Sequence, residues 1–149
     1  MGIRDFDNAI REVTRRDARY HRDAYHFVRE ALDYTQARHR RVRRPGRDEE
    51  AHVSAAELLE GIRAFAIHQY GPMAKFLFQE WGVFTCEDFG EIVFNMIRCG
   101  ILRKTEEDRL EDFRDRYTFY DAFAKPYLPQ SAAPVVRGLA AQATEETLF

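Results

Sequence analysis

A chain of 149 residues that is 45% hydrophobic and 13% aromatic, with 12 Phe and 7 Tyr, carries too many core-forming side chains to be a disordered polymer. It is long enough for one domain with a real core, and no run approaches the 18 apolar residues of a membrane span. The net charge of −2 hides a split: residues 1–47 hold 13 Arg against 7 acids, a balance of +6, while residues 48–149 hold 10 bases against 18 acids, a balance of −8.

If these two parts occupy different faces, the molecule is bipolar, and copies of it have complementary surfaces for one another. Residues 1–10 contain no apolar stretch of signal-peptide length, so a cytoplasmic protein is expected. Cys86 and Cys99 fall 13 residues apart on what reads as one helix. At 1.5 Å per residue that is about 20 Å, beyond disulfide reach, so free thiols are expected. No Cys-x-x-Cys or paired-His pattern supplies further ligands for zinc.

In chain order, Phe6, Ile10 and Val13 recur at helical spacing and predict a helix near residues 5–15. Asp23 is placed to cap a second helix through Ala24, Phe27, Val28, Ala31, Leu32 and Thr35, so residues 5–37 form a helical hairpin. The basic run Arg38, Arg40, Arg41, Arg43, Arg44 and Arg47, followed by Asp48, Glu49 and Glu50, reads as a loop over residues 38–52. Charge repulsion and Pro45-Gly46 both oppose continuing the helix.

Ser54 with Glu57 forms a capping box for a third helix that buries Leu58, Leu59, Ile62, Phe65 and Ala66. Gly71-Pro72 ends it and opens a short fourth helix that carries Met73, Phe76, Leu77 and Trp81 and is closed by Gly82. Thr85 with Asp88 repeats the cap, and Phe89, Ile92, Val93, Met96 and Ile97 give a fifth helix its apolar face up to Gly100.

The period then changes. Residues 101–105 read as a strand, 106–108 as a turn and 113–119 as a return strand, with a polar helix over 106–116 as the rival. A short segment, Tyr120 to Tyr127, leads through Pro126 and Pro129 into a tail, residues 130–149, that is expected to be mobile. The expected fold is therefore mainly α with a small β-hairpin (α+β). In it, one compact domain over residues 1–129 packs the N-terminal helical hairpin on a winged-helix-like module of three helices and a wing, residues 54–119.

The segments Ala31-Leu32-Asp33-Tyr34-Thr35, Leu58-Leu59-Glu60-Gly61-Ile62-Arg63, Tyr70-Gly71-Pro72-Met73-Ala74, Glu87 to Asn95 and Lys104-Thr105-Glu106-Glu107-Asp108 resemble those of a family of uncharacterised bacterial proteins known by one member's locus tag. The resemblance spans roughly Phe6 to Pro129, including Asp112-Phe113 and Tyr117 to Phe123, and implies a bacterial origin. It brings no activity with it. The arginine-rich run and the tail beyond Pro129 fall outside it.

If Thr85 to Cys99 were the third helix of a winged-helix module, it would hold the position that enters a DNA groove, presenting Glu87, Asp88, Glu91, Asn95 and Arg98. Carboxylates aimed at a polyanion oppose binding, so Glu87, Asp88, Glu91 and Asn95 point to contact with a protein partner. Arg38, Arg40, Arg41, Arg43, Arg44 and Arg47 could meet phosphates or an acidic surface, against the plainer reading of a solvated loop. His21, His26 and His68 lack the spacing of a site, although His68 beside Tyr70 and Gly71-Pro72 could line a pocket near Trp81. Asp88, Glu91, Glu106 and Asp108 could surround a hard cation, but caps and solubility explain each more simply.

No catalytic, cofactor-binding or metal-binding residue is expected. The readings in order are a non-catalytic binding or adaptor protein, a nucleic-acid-associated factor using the Arg38–Arg47 arm, and a small enzyme with a pocket near His68.

Overall fold

The computed structural model describes residues 3–42, 53–103 and 109–129. Helices α1 (Ile3–Arg16) and α2 (Arg22–Val42) form the N-terminal hairpin, followed by α3 (Ala55–Tyr70), a 3-10 turn over Gly71–Met73, α4 (Ala74–Glu80) and α5 (Cys86–Arg98). A 3-10 turn over Leu110–Phe113, the short α6 (Phe119–Phe123) and a last 3-10 turn, Lys125–Tyr127, complete it.

The helix starts follow local chemistry. Ser54 Oγ accepts from the Glu57 amide at 3.1 Å while the Glu57 carboxylate accepts from the Ser54 amide at 2.9 Å, and the same reciprocal box joins Thr85 and Asp88 at the start of α5. At α2 the cap differs from expectation. His21, not Asp23, closes the first turn, its Nδ1 accepting from the Asp23 amide at 3.0 Å. The other end of α2 also differs, since the helix runs on to Val42 through the first arginines of the basic run. Arginine is a good helix former, and Arg38 lies over the Tyr34 ring one turn earlier, 5.3 Å from its centroid. Residues 43–52, the rest of the expected loop, lie outside the described residues, as does the tail 130–149.

The core is an aromatic cluster centred on Phe27 and Phe78. Phe78 packs at centroid distances of 5.1 Å on Phe27, 5.3 Å on Phe89 and 5.2 Å on Phe123. Edge-to-face contacts of this kind add to the area they bury. Two glycines permit close approach. At Gly61 a Cβ would fall 1.8 Å from Thr35 Oγ1, so α2 and α3 cross where only glycine fits; at Gly90 it would fall 2.7 Å from the Phe113 ring.

The expected β-hairpin is overturned: no strand occurs among the described residues. The amide that would open its first strand is used elsewhere, because Ile101 donates to Met96 O at 2.9 Å, next to the bond from Gly100 to Ile97 O at 3.0 Å. That pair of bonds, with Gly100 at φ 78°, is a Schellman closure of α5. Residues 104–108 lie outside the described residues. The expected return strand is instead the 3-10 turn ending at buried Phe113, an irregular link, and α6, whose first turn is capped by Thr118 Oγ1 accepting from the Asp121 amide at 3.1 Å. Phe119, Ala122 and Phe123 are all buried, an i, i+3, i+4 set that shares one face of a helix but falls on both faces of a strand. The winged-helix-like description therefore loses its wing, and where the rival polar helix over 106–116 falls on described residues, 109–116, they form the single turn Leu110–Phe113.

The apolar residues around α4 divide between core and surface. Ala74 and Phe78 are fully buried, whereas Met73 is 52% and Phe76 53% exposed. The 3-10 turn at Gly71–Met73 delays the start of α4, so its seven residues offer the core one i,i+4 pair.

Candidate functional site

The polar side of α5, which the sequence marks as a partner surface, is engaged from within the chain. Tyr20 donates its hydroxyl to Asp88 Oδ1 at 2.7 Å, while Asp88 Oδ2 accepts from the amides of Phe84 at 2.9 Å and Thr85 at 3.1 Å. Glu91 accepts from Arg19 at 3.2 Å, and Glu87 from Arg114. Asn95, 8% exposed, donates through Nδ2 to Asp17 Oδ2 and Tyr25 Oη, both at 3.0 Å, and accepts from Arg98 at 2.7 Å.

The turn between α1 and α2, residues 17–20, thus seats on three of the four predicted contact residues, and Arg114 takes the fourth. The electrostatics agree with this latch. The Arg19 guanidinium, with help from the Asn95 amide, holds the Asp17 carboxyl far below the usual carboxylate range against the opposing effect of burial. Burial raises the phenols of Tyr20 and Tyr25, so that Tyr20 stays protonated as the donor to Asp88 while the neutral Tyr25 hydroxyl accepts from Asn95.

Of the predicted basic arm, Arg38 lies against Tyr34, and Arg40 and Arg41 belong to the last turns of α2. Arg43, Arg44 and Arg47 lie outside the described residues. His68 is exposed on α3, and Trp81 packs its ring on Phe27, Tyr70 and Phe78. His26 packs edge-on against Phe6, with ring centroids 5.0 Å apart.

Cys86 and Cys99 are free; buried Cys86 donates its thiol to Tyr117 O at 3.3 Å, and burial pushes that thiol up, away from the reactive thiolate. Among the described residues no three His, Cys, Asp or Glu side chains are grouped to hold a metal ion. No helix among them is long and apolar enough to cross a membrane.

What the sequence reading missed is apolar. The large hydrophobic side chains left exposed are Met73, Phe76, Phe84, Tyr120, Tyr127 and Leu128. All six belong to two segments, 73–84 and 120–128, which meet where Phe78 packs on Phe123. Tyr127 also closes on the start of the first segment, its hydroxyl 4.0 Å from where a Cβ on Gly71 would stand. One signal was available: Phe76 and Phe78 are two residues apart, and a helix cannot turn both to one side.

Beside Phe84 lies a cavity of about 620 Å³ lined by residues of the α5 start and of the link into α6, among them Tyr117, Phe119 and Asp121. A second, of about 550 Å³, lies between α2 and α3 over Thr35 and Gly61. The chain matches no family model, no curated protein and no solved structure.

Proposed function

We propose that this protein is a non-catalytic binding protein that engages another protein through the apolar surface of residues 73–84 and 120–128. The observation that carries the reading is the confinement of every exposed large hydrophobic side chain among the described residues to those two adjoining segments. Scattered single apolar residues are ordinary on a protein surface, whereas their concentration in two segments that pack on each other supports contact with a partner. Aromatic side chains and Met are the types enriched where proteins meet. The resemblance to the bacterial family belongs to this proposal as a matter of origin and supplies no activity.

The test places a photo-crosslinking residue at Phe76, at Phe84 or, as a control, at exposed His68, in cells of the native bacterium. The expected result is one discrete adduct from positions 76 and 84 that is absent at 68 and is lost when Tyr120 is changed to Ser. Equal adduct yield from all three positions would retire the apolar surface. Binding to mixed DNA and RNA that falls steeply with salt and vanishes when Arg40, Arg41, Arg43 and Arg44 are changed together to Gln would put the nucleic-acid reading in its place.

A further inference from the structure

The groove beside Phe84 adds chemistry to the apolar surface. Its walls are the half-exposed ring of Phe84 and the rings of Tyr117 and Phe119, and at its edge stand Asp115 and Asp121. Glu87, also in the lining, is already paired with Arg114. The carboxylates of Asp115 and Asp121 form no hydrogen bond or ion pair with any described residue.

An anionic ligand would meet the carboxylates of Asp115 and Asp121 here, because the one cation of the lining, Arg114, is taken by Glu87. A purely apolar segment would cover Asp115 and Asp121 and strip their water without replacing it, which costs free energy. A cationic side chain resolves both conflicts. Guanidinium fits better than ammonium, because its planar fork donates to two acceptors while its flat face stacks on an aromatic ring, here Phe84.

We infer that the groove formed by Phe84, Tyr117, Phe119, Asp115 and Asp121 docks an arginine-bearing, otherwise apolar peptide segment of the partner protein. Charge complementarity selects the occupant: an acidic rim over an aromatic floor, contiguous with the wider apolar surface. The inference rests on the binding surface proposed above and adds the partner's chemistry to it.

The experiment is a ¹H–¹⁵N NMR titration of the full chain with three synthetic peptides that differ only in a central Leu-Arg-Phe-Arg, Leu-Gln-Phe-Gln or Leu-Glu-Phe-Glu. The Arg peptide is expected to shift amides in residues 84–87 and 114–121 and to bind about tenfold more tightly than the Gln peptide, with the Glu peptide weakest. The D115N/D121N variant should lose about that factor for the Arg peptide and none for the Gln peptide. Asp115 has φ 54°, a left-handed conformation that Asn also adopts readily, so the variant keeps its backbone; an unchanged melting transition checks this.

Equal affinity for the Arg and Gln peptides would overturn the inference. Shifts confined to residues 73–80 and 127–128 would also overturn it while leaving the apolar binding surface intact, and no shift from any peptide at millimolar concentration would remove the groove as a docking site. A homodimer in the sedimentation of the protein alone, abolished by D115N/D121N, would replace a separate partner by a second copy of this chain.

Discussion

The two surfaces flanking the N-terminus of α5 treat their side chains in opposite ways. On one, Asp88, Glu91 and Asn95 are polar and sequence-exposed by periodicity, yet they are closed off by Asp17, Arg19, Tyr20 and Tyr25 of the same chain. On the other, Phe76, Phe84 and Tyr120 are aromatic and nonetheless exposed to between 53% and 57%. The contrast teaches that residue type alone does not mark a binding surface. What marks it is whether the chain already contains the partner: carboxylates and an amide with internal partners are architecture, and aromatic rings without them are available.

The strongest way to break that comparison lies within α4. Phe78→Ala should cost about 3–5 kcal/mol because it empties the centre of the aromatic cluster. Phe76→Ala, two residues away, should stay within about 0.5 kcal/mol. Urea unfolding of both variants reads the difference, and similar losses for the two would mean that Phe76 is covered in solution.

Next in size is the latch. Asn95→Ala removes the donor shared by Asp17 and Tyr25, and an unsatisfied buried polar group of this kind costs about 1–3 kcal/mol. If Asn95 faced only a partner, the same change would leave the isolated protein as stable as before.

The smallest effect is in the pH profile. The Asp17 carboxyl titrates lower in the folded chain than in the unfolded one, so it stabilises the fold above its ordinary unfolded value of about 3.9. That stabilisation is fully present at neutral pH and fades as pH falls below about 5. Asp17→Asn should flatten the acid limb of the stability curve measured by chemical unfolding from pH 7 to pH 3. An unchanged acid limb would show that Asp17 and Arg19 do not hold each other in solution.

Much of the helical frame was legible because its signals are local. The boxes at Ser54/Glu57 and Thr85/Asp88 and the buried set Leu58, Leu59, Ile62, Phe65 and Ala66 follow from spacing within one element, and the structure shows them as expected. The region after Gly100 was misread because its aromatic residues suit a strand as well as a helix, and only the Schellman bonds of Gly100 and Ile101, with the joint burial of Phe119, Ala122 and Phe123, decide between them. The polar face of α5 was misassigned for a different reason. Helical periodicity places Asp88, Glu91 and Asn95 away from the apolar stripe of α5, but nothing local says that the 17–20 turn, some seventy positions earlier, lies over them. The apolar surface was not legible because the apolar residues around α4 do not themselves say which of them face the core, and the turn at Gly71–Met73 sets that by delaying the start of the helix.

The reach of the latch bears on how the chain assembles. Tyr20–Asp88, Arg19–Glu91 and Asp17–Asn95 join residues 68, 72 and 78 positions apart. Bringing such distant points together costs loop entropy that a few polar bonds offset only once the intervening helices have condensed around Phe27 and Phe78. Assembly then runs outward from the aromatic centre and the clasp closes last, so loosening it at Asn95 should hasten unfolding in stopped-flow traces and leave the folding rate nearly unchanged.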